Sequence, residues 1–151
     1  MIFSSLNIYR TKYLYHASPI QNIPAITPKI AYAYPHLGEV VFASSVESFA
    51  ACFGVPWDDK YVEIGVTHSE NSDDPKDDKV KQVTLIIKDP SKIDLDNTPC
   101  SMYYIKGKFK YLEYVSGLEQ ISKKECSIIN ETKFRSLREM LQYYHVNITI
   151  L

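Results

Sequence analysis

His16, Phe42 and Glu113 are the residues of this chain whose types and surroundings could serve chemistry. His16 stands in the run Tyr13-Leu14-Tyr15-His16-Ala17-Ser18, and imidazole is the side chain that exchanges a proton most readily near neutral pH. Phe42, inside Val41-Phe42-Ala43-Ser44, offers a flat ring on which a planar ligand can stack. Glu113, in Leu112-Glu113-Tyr114-Val115, sits among apolar and aromatic neighbours. An unpaired carboxylate is costly to bury, so such a residue either reaches solvent from an edge strand or lines a polar cleft. Plainer readings stand beside these: a strand-end histidine often serves structure, a strand phenylalanine usually packs, and Ser18 before Pro19 is explained as a helix cap.

Other chemistries lose support. The chain has no glycine-rich phosphate loop, no paired-cysteine zinc motif and no nucleophile elbow. His16, His36, His68 and His145 are far apart, without the helical spacing of a metal site, so no metal is expected. Cys52 lies on an apolar helical face and reads as core rather than nucleophile. With 17 basic and 18 acidic residues the net charge is -1. Bulk electrostatics therefore draw the chain neither to nucleic acid nor to an anionic membrane, and neither partner is indicated.

The elements that must position these residues follow from pattern. The length of 151 residues suits a single domain, 1–151. Residues 12 to 17 predict a first strand, with His16 facing away from Tyr13 and Tyr15. Ser18-Pro19-Ile20-Gln21 predicts a short helix, which Pro24 and Pro28 confine to a turn or two. Tyr32 and Tyr34 fall in a loop. Glu39 to Ser44 predicts a second strand, and Ser44-Ser45-Val46-Glu47 a capping box before a helix bearing Phe49, Ala50 and Phe53. Residues 60 to 66 and 83 to 87 predict further strands around an acidic, solvated loop at 68–79. Met102 to Lys106 and Phe109 to Val115 are expected to form a hairpin at Gly107-Lys108, with Lys106, Lys108 and Lys110 on its outer face. Asn130 or Thr132 is expected to cap a helix carrying Phe134, Leu137, Leu141 and Tyr144, and Val146 to Leu151 to form the last strand. Strands that outnumber helices without alternating regularly predict an α+β fold around a twisted, mainly antiparallel sheet. No basic, apolar leader is visible and no apolar run approaches the roughly 18 residues of a membrane span. Three widely spaced cysteines read as reduced thiols, and a cytoplasmic location is the expectation.

Three pieces in fixed order carry a resemblance: Leu14-Tyr15-His16-Ala17-Ser18, then Val41-Phe42-Ala43-Ser44 leading into a helix, then Leu112-Glu113-Tyr114-Val115. Together, over residues 13 to 121, they resemble the ADP-ribosyltransferase fold, in its branch with a histidine, an aromatic residue and a glutamate on successive strands. That resemblance implies a transferase that uses NAD as substrate, without a metal, and passes ADP-ribose to an unknown acceptor. It implies that His16 binds a ribose, that backbone groups of Ala17 hold the nicotinamide amide, and that Ser18 supports the same turn. Phe42 would stack on nicotinamide where the family usually has tyrosine, and Glu113 would steady the cation that forms as the glycosidic bond opens. The alternatives are a non-catalytic binding module on the same scaffold and an RNA 2'-phosphotransferase-like enzyme. Arg10, Arg135 and Arg138 are too scattered to favour the latter.

Overall fold

A computed structural model describes residues 8–30, 35–55, 60–68, 80–112 and 118–151. Glu113, Tyr32, Tyr34 and residues 69–79 of the acidic run lie outside the described residues. Among the described residues there are two sheets and two short α-helices, and every strand pairing but one is antiparallel, which is the expected α+β class.

The larger sheet is organised on one long strand. β1 (Arg10–Ser18) pairs along its whole length with β7 (Cys100–Tyr111), from Arg10 opposite Phe109 to Ser18 opposite Ser101. The other edge of β7 takes β9 (Cys126–Phe134), which in turn pairs β2 (Ala25–Ile26). The far end of β7 pairs β8 (Gln120–Ser122), followed by β4 (Glu39–Ala43) and β3 (Lys29–Ile30). An isolated bridge, Tyr15 N–H to the Ser44 carbonyl at 2.8 Å and Ser44 N–H to the Tyr15 carbonyl at 3.0 Å, draws β1 back to β4. The smaller sheet holds β5 (Val62–His68), β6 (Val80–Ile87) and β10 (Asn147–Ile150), with β10 parallel to β6.

Strand alternation divides the core. Leu14, Val41, Ala43, Tyr103, Ile105 and Phe109 pack on one face of the large sheet. Ala17 and Met102 pack on the other, with helix α1 (Glu47–Cys52), helix α2 (Leu137–Tyr143) and the small sheet's Val83, Leu85 and Ile87. Complete burial of a large apolar side chain such as Leu85 or Phe109 stabilises the fold by roughly 1.5–3 kcal/mol each.

Four local expectations give way. Instead of a helix after Ser18, the Ser18 hydroxyl accepts from the Ile20 N–H at 3.1 Å, closing a turn. The Gln21 side-chain amide then donates to the carbonyls of Cys100 and Phe134, strapping the segment to β7 and β9. With Pro19, Pro24 and Pro28 depriving the stretch of N–H donors, these external bonds outweigh a helix's own. The expected capping box is likewise a turn: Val46 occupies the cap position without a side-chain bond, and Ser44 accepts from the Val46 N–H at 3.0 Å. No hairpin opens at Gly107, where β7 continues. A Cβ there would lie 2.6 Å from Cys126 Sγ and 2.9 Å from a Phe109 ring carbon, so glycine serves close packing rather than a turn. Finally, Asn130 and Thr132 belong to β9, and Ser136 caps α2 by accepting from the Glu139 N–H at 3.1 Å.

The three cysteines are free and buried. Among the described residues no helix is long and apolar enough to cross a membrane, and no group of three or more metal-ligating side chains occurs.

Candidate functional site

A cavity of about 260 Å³ opens where β1 and β4 diverge beyond the Tyr15–Ser44 bridge. One wall is the end of β1, from Tyr15 to Ser18, and another is β4, from Val40 to Ser44. The strapped segment around Ile20, Ile26 and Lys29 covers one side, and Phe49, Ala50 and Phe53 of the α1 region close another. The lining is mainly apolar with a few convergent polar groups, the usual character of a small-molecule site. Its volume lies below the roughly 300–1,000 Å³ of pockets that enclose a drug-sized ligand, so it suits a ring with an attached sugar better than a whole dinucleotide.

His16 stands at the centre of the β1 wall. Its Nδ1 lies 2.6 Å from the Phe42 carbonyl oxygen, which can only accept, so Nδ1 carries the proton and donates. Burial lowers the imidazole's pKa, the Phe42 hydrogen bond opposes that, and nearby Lys29 lowers it further. The ring is therefore neutral near pH 7, and Nε2 carries a lone pair able to accept from a hydroxyl. Although its surroundings are crowded, the ring is half-buried by exposure because it lines the cavity.

Ala17 contributes its main chain. In an antiparallel strand the N–H and C=O of one residue point to the same side, and successive residues alternate. Because Tyr15 directs both groups at Ser44 of β4, Ala17 directs its own to that side as well, away from β7. The bridge is isolated, so β4 supplies no ladder partner there, and Ala17 holds an adjacent donor and acceptor at the cavity wall. Ser18 also lines the cavity, with its hydroxyl committed to the Ile20 turn.

Phe42 meets His16 through its carbonyl. Val41 and Ala43 pack with Leu14, whereas the Phe42 ring packs against the cluster of Val40, Leu112 and Ile121 while remaining part of the cavity lining. Glu113 lies outside the described residues.

The carboxylate present in the cavity is Glu119. It immediately precedes β8, whose Gln120 and Ile121 lie opposite Ala43 and Phe42, so the β4–β8 ladder delivers it to the site. Only 9% of Glu119 is exposed, and its Oε2 has no hydrogen-bond partner among the described residues. Burial pushes its pKa up to about 7. Sequence pattern gave Glu119 no prominence because β8 is three residues long, too short to show a period. The usable signal is local: Leu118-Glu119-Gln120-Ile121 sets a carboxylate between apolar residues, as at Glu113.

The fold and site thus define an α+β protein with a small, largely apolar cavity bearing a neutral imidazole, a peptide group turned away from the β7 ladder and a buried carboxyl group. Comparisons with protein families, characterised proteins and solved structures find no match to this chain.

Proposed function

We propose that the cavity binds the nicotinamide riboside half of NAD and that the protein is an ADP-ribosyltransferase-like enzyme passing ADP-ribose to an acceptor. The observation that carries this reading is the junction of β1 and β4, where the outward peptide groups of Ala17, the acceptor nitrogen of His16 and the carboxyl group of Glu119 line one cavity. A nicotinamide amide is both donor and acceptor, and the adjacent N–H and C=O of Ala17 match it. Neutral Nε2 of His16 accepts from a ribose hydroxyl. Lys29, at the covering segment, supplies positive charge for the pyrophosphate that a cavity of this size leaves outside.

As the glycosidic bond opens, nicotinamide departs with the bonding electron pair and a cation develops on the ribose. A carboxyl group already desolvated and unpaired is suited to stabilise that charge, because no competing hydrogen bond must first be broken. The cation in turn favours the ionised form. Glu119 performs this role in the proposed site, with Glu113 as the alternative carboxylate implied by the family resemblance. ADP-ribosyltransferase-like architecture belongs to the same proposal.

A non-catalytic binding module on the same scaffold is the second reading, favoured by Phe42, which lines the cavity without the hydroxyl of the tyrosine usual in the family that the chain resembles. Nicotinamide release from NAD by the wild type, His16→Ala, Glu119→Gln and Glu113→Gln separates the readings. Release that falls at least tenfold in Glu119→Gln but not in Glu113→Gln supports the Glu119 site, and the reverse assigns the role to Glu113. NAD binding without release supports the binding module, and absence of both refutes the proposal.

A further inference from the structure

The face of β1 and β7 turned away from His16 carries a second pattern. Because β7 runs on through Gly107, Lys106, Lys108 and Lys110 share one strand face with Tyr104, rather than forming the outside of a hairpin. Antiparallel register sets tyrosines beside them: Tyr15 opposite Tyr104 and Tyr13 opposite Lys106. Tyr9, just before β1, lies under Lys110 at 5.1 Å. The result is two adjacent columns, one of tyrosines and one ending in three lysines, with same-face neighbours roughly 6.8 Å apart along each strand.

The columns are accessible at Tyr9, Tyr13, Lys106 and Lys108, while Tyr15, Tyr104 and Lys110 are half-buried. Tyr13 is 49% exposed and Tyr9 36%, and Lys106 and Lys108 are exposed. Tyr13 and Tyr104 present stacked rings with centroids 6.0 Å apart. None of the three lysines forms a salt bridge among the described residues, and their contacts to Tyr13 and Tyr9 are long, exposed cation–π pairs. On the adjoining strand the residues opposite Lys106 and Tyr104 are Ser127 and Asn130, while Glu131 lies opposite Tyr103 and so on the other face. At the inner end burial and then Glu47 raise the pKa of Tyr15.

We infer that this tyrosine–lysine face binds single-stranded nucleic acid, with bases stacked on Tyr13 and Tyr104 and phosphates held by Lys106, Lys108 and Lys110. Cations without a salt bridge among the described residues account for attraction to a polyanion, and exposed rings add what an acidic peptide cannot use: flat faces for bases. A duplex, with its bases already stacked, gains nothing from the rings. The net charge of -1 conceals this local concentration because the 18 acidic residues are spread over the rest of the chain, five of them in the 68–79 run. The face is opposite His16 on β1, so the inference stands independently of the NAD reading.

Fluorescence anisotropy of a labelled 12-nucleotide oligothymidylate tests it, with the matching duplex and polyglutamate as competitors. Three phosphate contacts predict a slope of log K against log salt of about -2, equivalent to roughly twentyfold weaker binding between 50 and 200 mM salt. The doubly substituted Lys106→Glu/Lys108→Glu protein should bind more than tenfold more weakly, and Tyr13→Ala at least fivefold more weakly, each with an unchanged melting temperature. Two results would overturn the inference: no binding at about 100 μM in low salt, or binding that the substitutions leave intact. Equal competition by polyglutamate or duplex, or insensitivity to Tyr13→Ala, would reduce the face to a general polyanion surface and refute base stacking.

Discussion

Replacing Glu119 with glutamine removes the charge from the cavity while keeping the outline of the side chain. In the fold this carboxyl group keeps its proton up to about pH 7 because burial disfavours the ion, whereas its ordinary value is 4.5. Between those values the folded chain binds more protons than the unfolded chain, so stability must fall as pH rises. The contribution is whole below 4.5 and has been lost once pH passes 7. The separation corresponds to roughly 3–3.5 kcal/mol, appropriate in scale for a side chain 9% exposed. For a chain of 151 residues that is on the order of 10 °C in melting temperature. Melting curves of wild type and Glu119→Gln from pH 4 to 8.5 should show the variant gaining this much relative to wild type as pH rises. The amide's own unmet hydrogen bonds add a constant offset, so the change with pH is the decisive quantity. A constant difference across the range would refute the claim that Glu119 is buried without a partner.

Nitrogen-15 spectra of the histidines should show His16 as the neutral Nδ1–H tautomer at pH 7, protonating only below its ordinary value of 6.5; the Nε2–H tautomer would contradict the Phe42 contact. Because the fold favours neutral His16, its effect is to lower stability as pH falls through 6.5. Gly107→Ala should cost roughly 1–3 kcal/mol, since buried Cys126 and Phe109 must yield to the new methyl group, and adding Cys126→Ala should recover part of the loss in chemical denaturation; an unchanged midpoint would refute the close-packing role. Cys52, fully buried with its thiol pushed up to about 12, should resist an aromatic disulfide reagent at pH 8 until denaturant is added, and labelling of Cys52 in the native protein would contradict its placement.

What was legible in the sequence was mostly local. The β1 run was legible from the alternation of Leu14 and His16 with Tyr13 and Tyr15, and the β4 run from its compact apolar, β-branched composition. Gly107 misled because glycine permits both a turn and a close approach; the deciding neighbour, Cys126, lies on another strand. The segment after Ser18 carried a valid helix-start signal, but Gln21 forms its bonds with carbonyls of β7 and β9, which local pattern does not reveal. Ser136-Leu137-Arg138-Glu139 did contain the correct cap for α2, obscured by the polar residues of β9 that precede it. The site divided along the same line. His16 could be singled out from its own strand and Ala17 only through the family resemblance, whereas Glu119 reaches the cavity through the pairing of β8 with β4.

The central claim is that this cavity receives the nicotinamide end of NAD, and titration of NAD into isotope-labelled protein tests it most directly. Saturable shifts concentrated at the amides of residues 15–18 and 40–44, at the His16 ring and at the Glu119 carboxyl carbon are the predicted result, with nicotinamide alone reproducing those at Ala17. The absence of shifts, or shifts confined to residues outside the cavity, would contradict the account.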